Sequence, residues 1–110
     1  MKVSEIVEKL GLVVYSGNEG LDNEITSGYT SDLLSDVMGS ADSGMIWVTI
    51  QTHKNVMAIA SLKELAAVVL VKGEQPEADT AEQSNLERIP ILGTDMDTFE
   101  ITGKIYNLLK

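Results

Sequence analysis

The segment MIWVTIQTHKNVMAIASLKELAAVVLV, residues 45–71, contains two apolar runs separated by an amphipathic stretch. The runs, Met45–Ile50 and Ala66–Val71, are rich in Val and Ile on consecutive positions, which is typical of strands buried on both faces. Between them, Val56 and Ala60 recur at helical spacing. A strand, a helix and a strand in this order predict a right-handed unit in a parallel sheet.

The alternation continues toward the end of the chain. An acidic segment, Pro76–Arg88, is predicted to be a helix or an exposed loop, and Ile89–Leu92 a short strand. Pro90 in this strand indicates an edge position or a strand start, because proline has no N–H to donate. The last helix is predicted over Asp97–Leu109, and its buried residues are expected to be Phe99, Ile101, Ile105, Leu108 and Leu109.

The first third of the chain has shorter elements. A helix capped by Ser4 is expected to end at Gly11, followed by a brief strand at Leu12–Tyr15. Glu24–Thr30 is a second extended segment, and the two strands are expected to pair antiparallel or to form a separate ribbon. A helix starting at Ser31 or Asp32 then carries Leu33, Leu34, Val37 and Met38.

Together these elements predict one α/β domain over residues 1–110. Its length is typical of a single domain, and a hydrophobic fraction of 44% suffices for a core. We expect a three-layer α/β/α arrangement with a mostly parallel, or mixed, sheet of about five strands.

The charge of the chain limits its partners. A formal net charge of -9 disfavours nucleic acid and anionic lipid, because like charges repel. No apolar run approaches the ~18 residues of a membrane span, and the first residues resemble no secretory signal. The chain has no cysteine, which fits a reducing compartment. We therefore predict a cytoplasmic protein without a nucleic-acid or membrane partner.

Recognised catalytic motifs are absent. There is no phosphate-binding loop, no G-x-G-x-x-G after a strand and no G-x-S-x-G elbow. We predict that the chain is not an enzyme and holds no cofactor or metal. Two alternatives stay open: an enzyme using the only histidine, His53, with Asp95 or Asp97, and a Mg²⁺ site. The carboxylates available for Mg²⁺ are Asp32, Asp36, Asp95 and Asp97.

Polar clusters follow three of the predicted strands. They are Gly28–Asp32, the stretch around His53, and Gly93–Thr98. Because parallel strands end at the same edge of a sheet, and ligands of open α/β sheets bind at that edge, these clusters favour a binding role. Ordinary helix capping is the alternative for each cluster, including Thr52 capping the helix after His53.

Four stretches resemble the DRTGG domain family. They are residues 28–38 (GYTSDLLSDVM), 47–56 (WVTIQTHKNV), 91–100 (ILGTDMDTFE) and 2–6 (KVSEI). The resemblance covers essentially the whole chain. The signature that names the family corresponds to Asn23–Gly28, NEITSG, which keeps only a threonine and one glycine of it.

The resemblance implies a regulatory domain without catalysis. Members of the family are similar to the N-terminal domain of bacterial HPr kinase/phosphorylase and, in fold, to a substrate-binding domain of Mur ligases. Others accompany CBS domains in regulated pyrophosphatases, with roles in dimer contacts and nucleotide regulation. We therefore expect a homodimer that senses a nucleotide or other small anion. The implied ligand residues are Ser31, Asp32, Gln51, Thr52, His53, Thr94 and Asp95.

An alternative function is a protein-interaction accessory module. Some members of the family stand alone among genes for iron hydrogenases, which suggests an accessory subunit of such a complex. A protein partner, rather than a small ligand, would then occupy the same polar loops.

Overall fold

Five strands form one sheet, and five α-helices cover its two faces, in the computed structural model, which describes residues 1–110. In chain order the elements are α1 (Val3–Leu10), β1 (Val13–Ser16), a 3₁₀ turn (Asn18–Gly20), β2 (Ser27–Thr30), α2 (Leu34–Ser40), β3 (Met45–Thr49), α3 (Asn55–Leu62), β4 (Ala67–Leu70), α4 (Ala78–Glu87), β5 (Ile91–Gly93) and α5 (Thr98–Leu109).

The strand order is β1-β5-β4-β3-β2. Strands β2 to β5 are parallel, and β1 runs antiparallel to β5. The predicted strand–helix–strand unit is therefore confirmed as β3–α3–β4, and the mixed α/β sheet is confirmed as well. Each of the connections through α2, α3 and α4 moves one strand along the sheet.

The prediction for the first two strands is wrong, because β1 and β2 lie at opposite edges of the sheet. The chain between them passes beneath the amino-terminal ends of the central strands. There the Asn23 side-chain amide donates to the carbonyl oxygens of Ala66 (3.2 Å) and Arg88 (3.1 Å). β1 and β2 are close in the sequence, which suggested that they pair with each other. These long-range contacts instead place β2 at the far edge of the sheet.

Pro90 precedes β5, which is an interior strand. The prediction of a strand start is therefore confirmed, and the alternative of an edge position is wrong. The Pro90 carbonyl oxygen accepts a hydrogen bond from the Val68 N–H (2.9 Å), so Pro90 takes part in the pairing of β5 with β4 only as an acceptor.

Two separate cores lie on the two faces of the sheet. Helices α1 and α5 pack on one face and bury residues such as Ile6 and Ile101, while α2, α3 and α4 cover the other. Every residue of β4 is buried, as expected for a central strand covered by helices on both sides. On the second face Trp47 is fully buried, and its indole N–H donates to the Ser31 carbonyl oxygen (2.8 Å).

The buried face of α5 differs in part from the prediction. Ile101 and Ile105 are buried and Leu108 and Leu109 are half-buried, but Phe99 is 91% exposed. Phe99 precedes Ile101 by two residues, which places it roughly 200° away around a helix of 3.6 residues per turn. The prediction that Phe99 is buried was therefore wrong.

The helix ends follow the sequence signals in part. Gly11 ends α1 in the left-handed conformation (φ 64°), but Lys2, not Ser4, is its N-cap. Asp97 caps α5 through a hydrogen bond from the Glu100 N–H (3.0 Å). The acidic segment is helical as α4. No helix has the length and apolar character needed to cross a membrane.

Candidate functional site

The loops that follow the four parallel strands all lie at one edge of the sheet. They are residues 31–33 after β2, 50–54 after β3, 71–77 after β4 and 94–97 after β5. We call these four loops the carboxyl edge. All seven sequence-predicted ligand residues lie in it.

Asp32 joins the first two of these loops. Its Oδ1 accepts hydrogen bonds from the Thr49 hydroxyl (2.9 Å) and the Ile50 N–H (2.8 Å). The Gln51 side-chain amide donates back to the Asp32 carbonyl oxygen (3.0 Å). Asp32 and Gln51 therefore hold the edge together, and only Oδ2 of Asp32 is left without an internal partner.

The Ser31 side chain makes a hydrogen bond within the loop after β2. Its hydroxyl oxygen accepts from the Leu33 N–H (3.1 Å), and this local bond shapes the turn into α2. The Ser31 hydroxyl proton has no acceptor within the chain, so it remains available to a ligand.

His53 contacts a residue of the neighbouring loop, Glu77. Its Nδ1 is 2.9 Å from Glu77 Oε2, with the side chains 66% and 47% exposed, so His53 is paired with Glu77 and not with Asp95 or Asp97. Thr52 lies beside this pair, and its carbonyl oxygen accepts from the Glu77 N–H (3.2 Å). Thr52 does not cap α3, whose N-cap is Lys54 with no side-chain bond.

Sequence reasoning missed Glu77. It directly precedes α4, on the loop that follows β4, whereas His53 follows β3. Because β3 and β4 are neighbouring parallel strands, their following loops adjoin. That topology was the only available signal, since the two residues are 24 positions apart in the chain.

Thr94 and Asp95 belong to a different group. Thr94 is buried, and its carbonyl oxygen accepts from the Gly73 N–H (2.9 Å), which binds the loop after β5 to the loop after β4. Asp95 is exposed. Both line a cavity of about 240 Å³ beside Tyr15 and β1.

The structure therefore divides the seven residues into three sets. The helix after β5 crosses to the opposite face from the helices after β2, β3 and β4. Four cavities open on the surface, and only Thr94 and Asp95 among the seven line any of them. Ser31, Asp32 and Gln51 form one polar cluster, and His53 and Thr52 adjoin Glu77.

The carboxyl edge carries more negative than positive charge. Its acidic residues are Asp32, Glu74, Glu77, Asp95 and Asp97, and its lysines are Lys54 and Lys72. No three His, Asp or Glu side chains come close enough together to hold a metal ion. Of the four carboxylates considered for Mg²⁺, that of Asp36 accepts the Tyr29 hydroxyl (2.9 Å) and that of Asp97 caps α5.

The largest cavity lies elsewhere, between the edge strand β2 and α5. This β2–α5 groove has a volume of about 530 Å³, and the Thr30 and Thr102 hydroxyls meet across one end of it (2.9 Å). Its lining residues are Thr26, Ser27, Gly28, Tyr29, Thr30, Ile46, Val48, Thr102, Ile105, Tyr106, Leu109 and Lys110. Sequence reasoning missed it, because it depends on α5 returning across the sheet to β2.

Comparison with solved structures finds nine similar chains. One of the similar structures is the crystal structure of the CBS and DRTGG domains of the regulatory region of Clostridium perfringens pyrophosphatase, complexed with the activator diadenosine tetraphosphate. The TM-score is 0.74 at 14% sequence identity, over 96% of this chain and 46% of that chain. The likeness confirms, at the level of the fold, the resemblance that the sequence indicated.

This chain thus spans about half the length of that neighbour. No family model matches the sequence. No curated protein matches it either.

Proposed function

We propose that this chain is a non-catalytic regulatory domain that binds a small ligand at the carboxyl edge. The observation that carries the proposal is the shared fold with the regulatory region of a pyrophosphatase crystallised with a nucleotide activator. A cytoplasmic location belongs to the same proposal, and the absence of cysteine supports it.

The hydrogen bonds of the carboxyl edge support a preformed binding surface. Asp32 and Gln51 join the loops after β2 and β3, and Thr52 holds the start of α4. A rigid frame lowers the entropy lost on binding. His53 has one nitrogen paired with Glu77, and its Nε2 is free to contact a ligand.

The charges at this edge favour a nucleotide over a simple anion. Inorganic phosphate meets a surface with five carboxylates and two lysines, and repulsion weakens its binding. A nucleotide adds uncharged contacts through its base and sugar, which offset the repulsion of its phosphates, and Lys54 and Lys72 are the basic residues of this edge. We therefore infer that the adenosine part supplies most of the binding energy.

A thermal-unfolding series tests the ligand. The chain is mixed separately with diadenosine tetraphosphate, ATP, adenosine and inorganic phosphate. A ligand present at 100 times its Kd adds about 2.7 kcal/mol of stability, which raises the Tm of a domain of this size by roughly 10 °C. We expect the nucleotides to raise the Tm and phosphate to leave it unchanged; no shift with any compound refutes the ligand-binding proposal.

A matched pair of variants tests the location. His53→Ala removes a side chain of the carboxyl edge, and Lys9→Ala changes an exposed residue of α1 on the other face. We expect His53→Ala to weaken nucleotide binding at least fivefold by calorimetry, and Lys9→Ala to leave it unchanged. Equal affinities for both variants place the ligand away from His53.

The proposal also includes a homodimer. The sheet of the isolated chain has two edge strands, β1 and β2, and pairing of edge strands is a common way to protect them. Size-exclusion chromatography with light scattering distinguishes a single chain of 11.9 kDa from a dimer of about 24 kDa. A mass near 12 kDa at 100 μM protein contradicts the dimer.

A second candidate function is a protein-interaction accessory module. Leu62 on α3 and Leu86 on α4 are 67% and 74% exposed. Their neighbours Ser61 and Glu87 share a hydrogen bond (2.8 Å), so the leucines lie near each other on the outer helix layer. A pull-down from native lysate with the wild type and with a Leu62→Ser/Leu86→Ser variant tests this role. A partner retained equally by both forms does not use these leucines.

A further inference from the structure

The two edges of the sheet are protected to different degrees. Strand β1 carries a bulge between Val14 and Ser16, which interrupts its pairing pattern. Bulges at an edge discourage the addition of another strand. Strand β2, Ser27–Thr30, has no bulge, no charge and no proline. It is therefore the edge that remains open to pairing.

The backbone of β2 presents hydrogen-bonding groups on its open side. The Ser31 N–H donates inward to the Val48 carbonyl oxygen (3.2 Å). Because alternate residues of a paired strand direct their N–H and C=O groups to opposite sides, those of Gly28 and Thr30 face outward. Gly28 has no side chain, so another backbone can approach closely.

Helix α5 extends this edge with apolar surface. The β2–α5 groove has a floor of Ile46, Val48 and Ile105, and Tyr106 on its wall is 67% exposed. Phe99, one helical turn before Thr102, is 91% exposed. Exposed aromatic side chains beside an open strand are typical of interaction surfaces.

The charge of this face decides which partner fits it. The chain has 17 acidic residues in 110, yet none of the 12 residues that line the groove is acidic. Every other cavity is lined by at least one carboxylate. Two copies of a chain with net charge -9 repel each other over most of their surface, but they can meet here without opposing carboxylates.

We infer that a second copy of this chain occupies the β2–α5 face. Strand β2 pairs antiparallel with the β2 of its copy about a twofold axis perpendicular to the sheet, which gives one continuous sheet of ten strands. Such an axis keeps the two α5 helices on the same face, where they flank the junction. The inference rests on the proposed homodimer and specifies its interface.

The size of a stable interface requires α5 to take part. A standard interface removes about 800 Å² from each partner, which is about one seventh of the 5677 Å² surface of this chain. A strand of four residues is only about 13 Å long and supplies too little area alone. Helix α5, about 18 Å long, adds the aromatic surface of Phe99 and Tyr106.

Gly28→Glu tests the interface without disturbing the single chain. A Cβ at Gly28 lies 3.5 Å from Ile46 Cγ2, an ordinary contact, and the backbone there is outside the left-handed region. In the proposed pairing the new carboxylates of the two copies lie on the same face of the joined sheet near the twofold axis, where they repel each other. Val13→Glu is the matched control, because Val13 is 52% exposed on the opposite edge strand β1.

Light scattering at several concentrations gives the outcome. We expect dimers for the wild type and Val13→Glu, and a dimer Kd raised more than tenfold for Gly28→Glu, with an unchanged far-UV spectrum. Dimers of equal affinity in all three, or loss of the dimer in Val13→Glu alone, overturn this interface while the homodimer stands. A monomeric wild type overturns the homodimer itself.

Tyr106→Ser provides a second test that leaves the strand intact. Tyr106 is 67% exposed and Leu86, its control on α4, is 74% exposed. We expect Tyr106→Ser to raise the dimer Kd more than fivefold and Leu86→Ser to leave it unchanged. The reverse result transfers the interface to the outer helix layer and refutes the inference.

Discussion

A buried relay of two serine hydroxyls fixes α4 against the sheet. The Ser16 hydroxyl donates to Ser84 Oγ (2.9 Å), and the Ser84 hydroxyl donates to the Ile89 carbonyl oxygen (2.6 Å). Ser16 is 4% exposed and Ser84 is fully buried, so water cannot replace a lost partner at Ser84. We predict that Ser84→Ala is among the most destabilising single-atom deletions in the chain.

The expected loss of stability follows from the polar groups that Ser84→Ala leaves without a partner. Ser84→Ala removes two hydrogen bonds, each worth about 0.5–1.5 kcal/mol net. It also leaves the Ser16 hydroxyl and the Ile89 carbonyl oxygen buried without a partner. We therefore expect the free energy of unfolding to fall by about 2–3 kcal/mol. The double variant Ser16→Ala/Ser84→Ala also removes the unpaired Ser16 donor. Its cost is therefore predicted to be about 1 kcal/mol less than the sum of the single costs.

Urea unfolding followed by Trp47 fluorescence measures these free energies. Trp47 is the only tryptophan and is fully buried, so its emission reports global unfolding. Ser35→Ala, on the exposed outer side of α2, is the control and is expected to change stability by less than 0.5 kcal/mol. A loss below about 0.5 kcal/mol for Ser84→Ala, or strict additivity in the double variant, refutes the relay as an energetic unit.

Two further predictions concern close packing and the carboxyl edge. A Cβ at Gly93 collides with the Tyr15 ring, so Gly93→Ala is expected to lower the free energy of unfolding in urea by about 1–3 kcal/mol. In a Tyr15→Ala background, Gly93→Ala is expected to have a smaller effect. An equal effect in both backgrounds argues against the collision. Asp32→Ala removes the acceptor of the Thr49 hydroxyl and the Ile50 N–H, and we expect a loss of about 1–2 kcal/mol. Asp32→Asn keeps an oxygen at Oδ1 and should retain more than half of that stability; equal losses for both variants exclude the hydrogen bonds as the cause.

The carboxyl edge was predictable in outline but not in its contacts. Strand ends could be located from apolar runs such as Met45–Ile50, and parallel strands necessarily end at one edge. The pairing of His53 with Glu77 was not predictable, because it joins loops from two different strands. The placement of Thr94 and Asp95 beside Tyr15 likewise depends on β1 joining the sheet next to β5.

The sequence by itself determined the type of most elements and the burial of the central strands. Periodicity, capping residues such as Asp97 and glycine at helix ends act within a few residues, so they are visible locally. Only the tertiary structure decided which strands form the edges and what α5 covers. Phe99 is exposed and β2 is open beside α5 because strand order and helix placement depend on contacts between distant parts of the chain.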